Sequence, residues 1–285
     1  MQTVGLTWQE SFEAAATVAT VGVALAVSAK RRVRTLGAFF REAAVIGVLY
    51  GVWQLAARLS VTGVGRALER ARWIERFERD VGLPSEASTQ NLILGHPLMV
   101  HAANLYYASM HFTTMLVFLV WLFVRHRPDY RPVRQVMAWT TLGCLLVQLI
   151  PVAPPRMLPG VVDTGVLYNE SVYSNGLAVD QMGAMPSVHV AWAVLVGWYA
   201  WRVGSSRWRY LAPLHASLTV LVVVVTGNHY WLDGIVAAAI LVCCAWAVAG
   251  VRTAWRHWRS ARIVGQAQHA VDHDRTGTPA EEHVA

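Results

Sequence analysis

The sequence predicts an all-α fold: a polytopic transmembrane helical bundle of six core spans with one further span at the N-terminus. Three observations carry that prediction. Of 285 residues, 55% are hydrophobic and 14% charged, against about 25% charged in soluble globular chains. Apolar runs reach the roughly 17–25 residues that a helix needs to cross a bilayer. Between those runs the charge is gathered into short arginine clusters, as in loops that flank spans. The net charge of +7 is distributed over these loops and forms no single basic face. That excludes a nucleic-acid partner and leaves the bilayer as the partner the composition demands.

The spans fall at residues 12–29, 36–57, 98–124, 135–150, 187–201, 210–226 and 231–251. The first is short and rich in Ala and Val, and its positive cluster follows it. A signal peptide carries its positive charge in front, so this segment reads as a retained signal-anchor or an ordinary first span. Arg41 and Glu42, near the start of the second span, snorkel to the interface or pair there.

Basic clusters follow the first, third, fifth and seventh spans: Lys30, Arg31, Arg32 and Arg34; Arg125, Arg127, Arg131 and Arg134; Arg202, Arg207 and Arg209; Arg252, Arg256, Arg259 and Arg262. All four fall on one side, which the positive-inside rule makes cytoplasmic. The loops at 151–186 and 226–230 then face outward. One lysine against 23 arginines suggests a GC-rich prokaryote, so the expected location is the cytoplasmic membrane with these loops outside.

Residues 66–81 mix five arginines with four acids, and Leu68, Ala71, Trp73, Ile74, Phe77 and Val81 are spaced as one helical stripe. This predicts a short helix in the outer interface or a solvated cap helix. Three units follow: N-terminal spans and interfacial helix over 1–97, a catalytic bundle over 98–252, and a cytoplasmic tail over 253–285. The tail is expected to be unstructured from about residue 260. Cys144, Cys243 and Cys244 lie in apolar runs with no CxxC or Cys/His spacing, so they read as packing residues. No metal or cofactor is implied.

Ionisable groups inside or at the ends of spans are costly and each calls for a function. Met185-Pro186-Ser187-Val188-His189 opens the fifth span. Pro and Ser suit a helix start, whose free amides form an anion site beside His189. Thr226-Gly227-Asn228-His229-Tyr230-Trp231-Leu232-Asp233 joins the sixth and seventh spans. A helix starting near Asn228 puts His229 and Asp233 on one face. There the carboxylate can fix the imidazole tautomer, the orienting half of a nucleophilic triad. Arg156, in Pro154-Pro155-Arg156, is the only basic residue of the 151–186 loop, and a guanidinium suits phosphate oxygens. Each feature alone has a structural explanation. Their convergence on one membrane face points to joint chemistry.

Pro186-Ser187-Val188-His189 followed by His229-x-x-x-Asp233 resembles the type 2 phosphatidic acid phosphatase (PAP2) superfamily over about residues 104–250. Together with Pro154-Pro155-Arg156 and Gly227-Asn228-His229-Tyr230-Trp231-Leu232-Asp233, the pattern is most similar to its inositol phosphorylceramide synthase-like branch. The chain departs from the family motifs in carrying Val188 for a glycine, and Val222 and Val223 where Ser-Arg stands.

The resemblance implies a phosphoesterase or phosphotransferase acting on a lipid phosphate or phosphodiester. His229 would be the nucleophile that forms a phosphohistidine, Asp233 its orienting group and His189 the general acid and base. Arg156, Ser187 and the amide at Val188 would bind phosphate, without metal or cofactor. Tyr107, His111 and Asn228 are substrate-pocket candidates, His111 having an interhelical hydrogen bond as its alternative. The rival reading is a non-catalytic lipid-binding or transport protein. It predicts ionisable groups spread through the bilayer depth, whereas here they cluster at one end.

Overall fold

The computed structural model describes residues 7–59, 64–173 and 181–276, and among them every regular element is a helix. In chain order these are α1 (Trp8–Ala26), α2 (Arg31–Leu59), α3 (Val64–Asp80), α4 (Glu86–Leu94), α5 (Pro97–Arg125) and α6 (Arg127–Gln148). They continue as α7 (Thr164–Leu167), α8 (Val188–Val203), α9 (Leu211–Val225) and α10 (Trp231–Thr276), with short 3-10 turns at Pro155–Met157 and Arg207–Tyr210.

Helix α1 starts in a capping box: Thr7 caps the Glu10 amide while the Glu10 carboxylate accepts from the Thr7 amide at 2.7 Å. It forms an antiparallel hairpin with α2 that small residues make close. A Cβ on Gly37 would stand 2.7 Å from the Gly22 carbonyl oxygen, and Gly47 lies against Ala15, the packing expected of helices in lipid. Arg134 and Tyr130 of α6 reach Glu42 of α2, so Glu42 has cross-helix partners instead of a route to the interface.

Among the described residues, four helices are long and apolar enough to cross a membrane: Arg31–Val52, Pro97–Arg125, Arg207–Val225 and Trp231–Arg262. The sequence reading has more spans, and the difference has local causes. Helix α1 carries Glu10 and Glu13, α6 opens on Arg127, Asp129, Arg131 and Arg134, and α8 has only 16 residues. At 1.5 Å per residue α8 is about 24 Å long, short of the roughly 30 Å hydrocarbon core.

The core of the bundle is divided along its length. Leu122, Val133, Val136, Met137, Leu195 and Leu241 pack near the end where the arginines lie. Val100, Ala103, Tyr107, Val190 and Val222–Val225 pack at the other. The starts of α5, α8 and α10 and the finishes of α6 and α9 converge on this second end. The chain after α6 is pinned there by an isolated parallel bridge, Val152 with Gly183.

The stripe predicted over residues 66–81 divides into two faces. Ala67, Ala71, Ile74 and Glu78 are buried, the first three against Val152, Ala153, Leu158, Ala184 and Tyr230. Trp73 and Phe77 stack on each other at 5.5 Å and are exposed. The helix therefore braces the loops of the second end, and its buried row includes one carboxylate. Helix α10 continues to Thr276, well into the stretch expected to be unstructured. From Arg252 to Thr276 the chain has no proline and one glycine, Gly265, so nothing local stops the helix. Residues 277–285, including His283, lie outside the described residues.

Candidate active site

Helix α9 ends at Thr226, and the chain turns through Gly227 at φ +69°, a conformation that favours glycine. A Cβ at Gly227 would also lie 3.2 Å from that of Arg156. Helix α10 begins at Trp231, later than the predicted start near Asn228, so His229 and Asp233 do not share a helical face. Capping brings them together instead. Asp233 is the third residue of the helix, and its Oδ2 accepts from the Tyr230 amide at 2.9 Å. This is the returning half of a capping box, and the same oxygen lies 3.2 Å from His229 Nδ1. A shorter contact, 2.7 Å, joins His229 Nδ1 to the Ala184 carbonyl oxygen. A carbonyl only accepts, so Nδ1 carries the proton and Nε2 keeps its lone pair. Tautomer control, expected from Asp233 alone, is shared with a backbone oxygen. His229 is 5% exposed and Asp233 fully buried.

Ser187 is the N-cap of α8, its oxygen accepting from the Val190 amide at 3.3 Å. Pro186 therefore precedes the cap and does not occupy the first helical position. Ser187 N donates to the Asp233 carbonyl oxygen at 3.2 Å, which ties α8 to α10. Val188 and His189 are the first two helical residues, and amides at those positions have no acceptor within the helix. The half-buried His189 ring stacks on Tyr107 at 4.7 Å between centroids, 5.4 Å from His229 and 4.1 Å from His111. His111 Nδ1 lies 3.2 Å from the Tyr107 carbonyl oxygen, so its partner is within its own helix and not across an interhelical interface.

Arg156 is held on three sides. Its Nη1 donates to Asn228 Oδ1 at 2.6 Å, its Nε pairs with Asp163 Oδ2 at 3.2 Å, and Tyr173 lies under the guanidinium at 4.3 Å. Its amide donates to the Gly227 carbonyl oxygen at 2.9 Å, fixing it beside the His229 turn. Nη2 is buried and has no partner among the described residues. A cavity opens here, lined by Asn104, Tyr107, Arg156, Asp163, Glu170, Tyr173 and Asn228 among others. A second is lined by Tyr106, Tyr107, His111, His189, Thr219, Val222 and Val223. Tyr107 belongs to both walls.

Several residues of this site lay outside the sequence reading. Gln90 of α4 is fully buried. Its amide nitrogen donates to the Val162 and Val225 carbonyl oxygens, and its oxygen accepts from the Val162 amide, all within 3.0 Å. It thereby joins the Arg156 loop to the end of α9. Asn104 exchanges bonds with Thr164 and donates to Glu170 Oε2 at 2.8 Å. Burial works against the Glu170 charge, yet the bonds from His101 and Asn104 hold its carboxyl below the usual range. Asp163 was visible as an acid in the same loop as Arg156. Gln90 and Tyr173 had no signal in spacing or charge.

All nine candidate residues lie in this one neighbourhood, Ser187 with its oxygen committed to the cap. Comparison with curated proteins and with solved structures gives no match. A family model described as the PAP2 superfamily matches residues 72–262, a stretch that holds every side chain described above as facing the cavities. The chain therefore belongs to the PAP2 superfamily, a membership that supports phosphatase- or phosphotransferase-type chemistry.

Proposed function

We propose that this integral membrane protein cleaves or transfers a lipid phosphate or phosphodiester through a phosphohistidine on His229. The observation that carries the reading is the protonation of His229. With Nδ1–H committed to Ala184 and Asp233, the Nε2 lone pair is the imidazole's remaining reactive position, as a nucleophile requires. Attack on phosphorus forms the P–N bond and breaks the P–O bond of the leaving group, to which His189 gives a proton. In the second half His189 takes a proton from the incoming hydroxyl, oxygen attacks phosphorus and the P–N bond breaks. Arg156 Nη2 and the first amides of α8 are the donors for the non-bridging oxygens, fixed in advance of the charge they meet. Asp233 stabilises the imidazole as it becomes positive.

The likeness to the inositol phosphorylceramide synthase-like branch favours a lipid or polyol hydroxyl over water as the acceptor. Val222 and Val223, in place of Ser-Arg, line the cavity beside His189, an apolar setting suited to the lipid end of the alkoxide. The site opens on the extracytoplasmic face, because the four basic clusters lie at the opposite end of the bundle. Helices α6 and α8, packed between spanning neighbours, complete six core spans, with α1 in addition.

The test is incubation of purified protein with a panel of lipid phosphates and phosphodiesters, measuring free phosphate against transferred product, with acid-labile, base-stable phosphate trapped on the enzyme. The expected result is turnover of at least one lipid and no trapped phosphate on His229→Ala. Equal trapping on that variant would overturn the assignment of nucleophile. No turnover of any lipid would favour the lipid-binding or transport reading.

A further inference from the structure

We propose that Glu78, sharing a proton with Glu86, is a positioning residue that latches the start of α10 and with it the His229–Asp233 pair. The role rests on the phosphohistidine reading above, and the geometry stands without it.

Glu78 is the one acid in the buried row of α3 and is 2% exposed, although the opposite faces of that helix are open. Its Oε1 accepts from the Leu232 amide at 2.6 Å across 154 residues of sequence. Leu232 is the second residue of α10, where an amide has no acceptor within its own helix. Two carboxylates thus cap one helix start: Asp233 takes the Tyr230 amide from within, and Glu78 takes the Leu232 amide from α3. The first also holds His229, so a shift of the helix start moves the nucleophile.

The far oxygen of Glu78 and Oε1 of Glu86 are both buried, and neither has a donor on any other described residue. The two carboxyls face each other, and a hydrogen bond between them requires that one of them be protonated. The groups facing Glu78 are Glu86 from α4, Asp233 from α10 and the Tyr230 hydroxyl, which donates to the Ala153 carbonyl oxygen at 3.0 Å. Among the described residues no cation bonds to the pair; Arg70 on the same helix donates to the Pro151 carbonyl oxygen. Burial foremost, then the bond to Glu86 and the nearby negative charges, pushes Glu78 up to about 9. At neutral pH Glu78 therefore keeps its proton, and the latch is closed. Above pH 9 Glu78 loses that proton beside Glu86 and Asp233, and the hold on Leu232 loosens.

The test uses the full chain in lipid nanodiscs. Glu78→Ala removes the acceptor, whereas Glu78→Gln and Glu86→Gln keep an oxygen for Leu232 and replace the shared proton with an amide N–H. Hydrogen exchange over residues 228–236 reads the latch without substrate. Kinetics on a lipid phosphate that the wild type turns over read its consequence. Glu78→Ala is expected to exchange faster and to lose kcat on the order of 10- to 100-fold with KM held, as misplaced catalytic groups do. The amide variants should exchange like wild type and lose the fall in kcat that wild type shows near pH 9. Wild-type exchange in Glu78→Ala, or an unchanged alkaline limb in both amide variants, would overturn the proposal. If Glu78→Ala does not fold, the amide variants decide through that limb. Absence of turnover in the wild type would refute the phosphoesterase reading alone, and the exchange comparison would still judge the latch.

Discussion

Replacing Asp233 by asparagine separates two tasks that the His229–Asp233 contact combines. Asparagine can put its oxygen where Oδ2 stands, accepting from the Tyr230 amide and from His229 Nδ1 as the carboxylate does at 2.9 and 3.2 Å. Its nitrogen then takes the place of Oδ1, which has no partner among the described residues. The Ala184 carbonyl, at 2.7 Å, keeps the proton on Nδ1 in either case. Only the charge is lost. A hydrogen bond to a charged group contributes about 1.5–3 kcal/mol, which at about 1.36 kcal/mol per factor of ten corresponds to a fall of roughly 10- to 150-fold. Reversal of the tautomer costs far more, about 10⁴-fold in a serine-protease triad. The assay is rapid-quench measurement of phosphoenzyme formation from an aryl phosphate, whose leaving group needs no proton from His189. Asp233→Asn should fall by one to two decades. A fall of about 10⁴-fold would refute the reasoning and give tautomer control back to Asp233. Asp233→Ala should fall further and also lower Tm, because it strands the buried Tyr230 amide.

Three more outcomes are expected. Arg156→Lys should lose most activity, on the order of 10²-fold, because one ammonium cannot serve Asn228, Asp163 and a phosphate oxygen from a planar fork; wild-type turnover would reduce Arg156 to an interfacial anchor. His189→Ala should form phosphoenzyme from an activated aryl ester far better than from a lipid phosphate, since general acid help of about 10²–10⁴-fold matters only for a poor leaving group, and equal losses on both would remove that role. In intact cells, a cysteine at Val166 should react with an impermeant thiol reagent and one at Ser205 should not, with Cys144, Cys243 and Cys244 replaced; the reverse pattern would put the site on the cytoplasmic side.

Much of the helical architecture was legible because it follows from local properties. Apolar runs and clustered arginines need no knowledge of neighbours, and they located α2, α5, α9 and α10 and the two ends of the bundle. Ser187 was recognisable as a cap for the same reason. Local reading also set the limits. It placed His229 on the helix that carries Asp233, because a spacing of four looks the same whether helix or turn supplies it. It took α3 for one stripe, because Trp73 and Ile74 are equally apolar and only the loops packed beneath them decide which is buried. It ended α10 at the membrane, because a polar sequence reads as unstructured where no partner is visible.

The sequence by itself determined which groups stand at one end of a membrane bundle: His189, His229, Asp233 and Arg156, with an anion-binding helix start among them. Tertiary structure alone decided what each of these groups bonds to. The Ala184 carbonyl reaches His229 across 45 residues, Asn228 reaches Arg156 across 72, and Glu78 reaches Leu232 across 154. Periodicity and charge are properties of a few consecutive residues. A buried polar group, by contrast, takes whichever complementary atom packing brings within about 3 Å, and that atom is chosen by the whole chain.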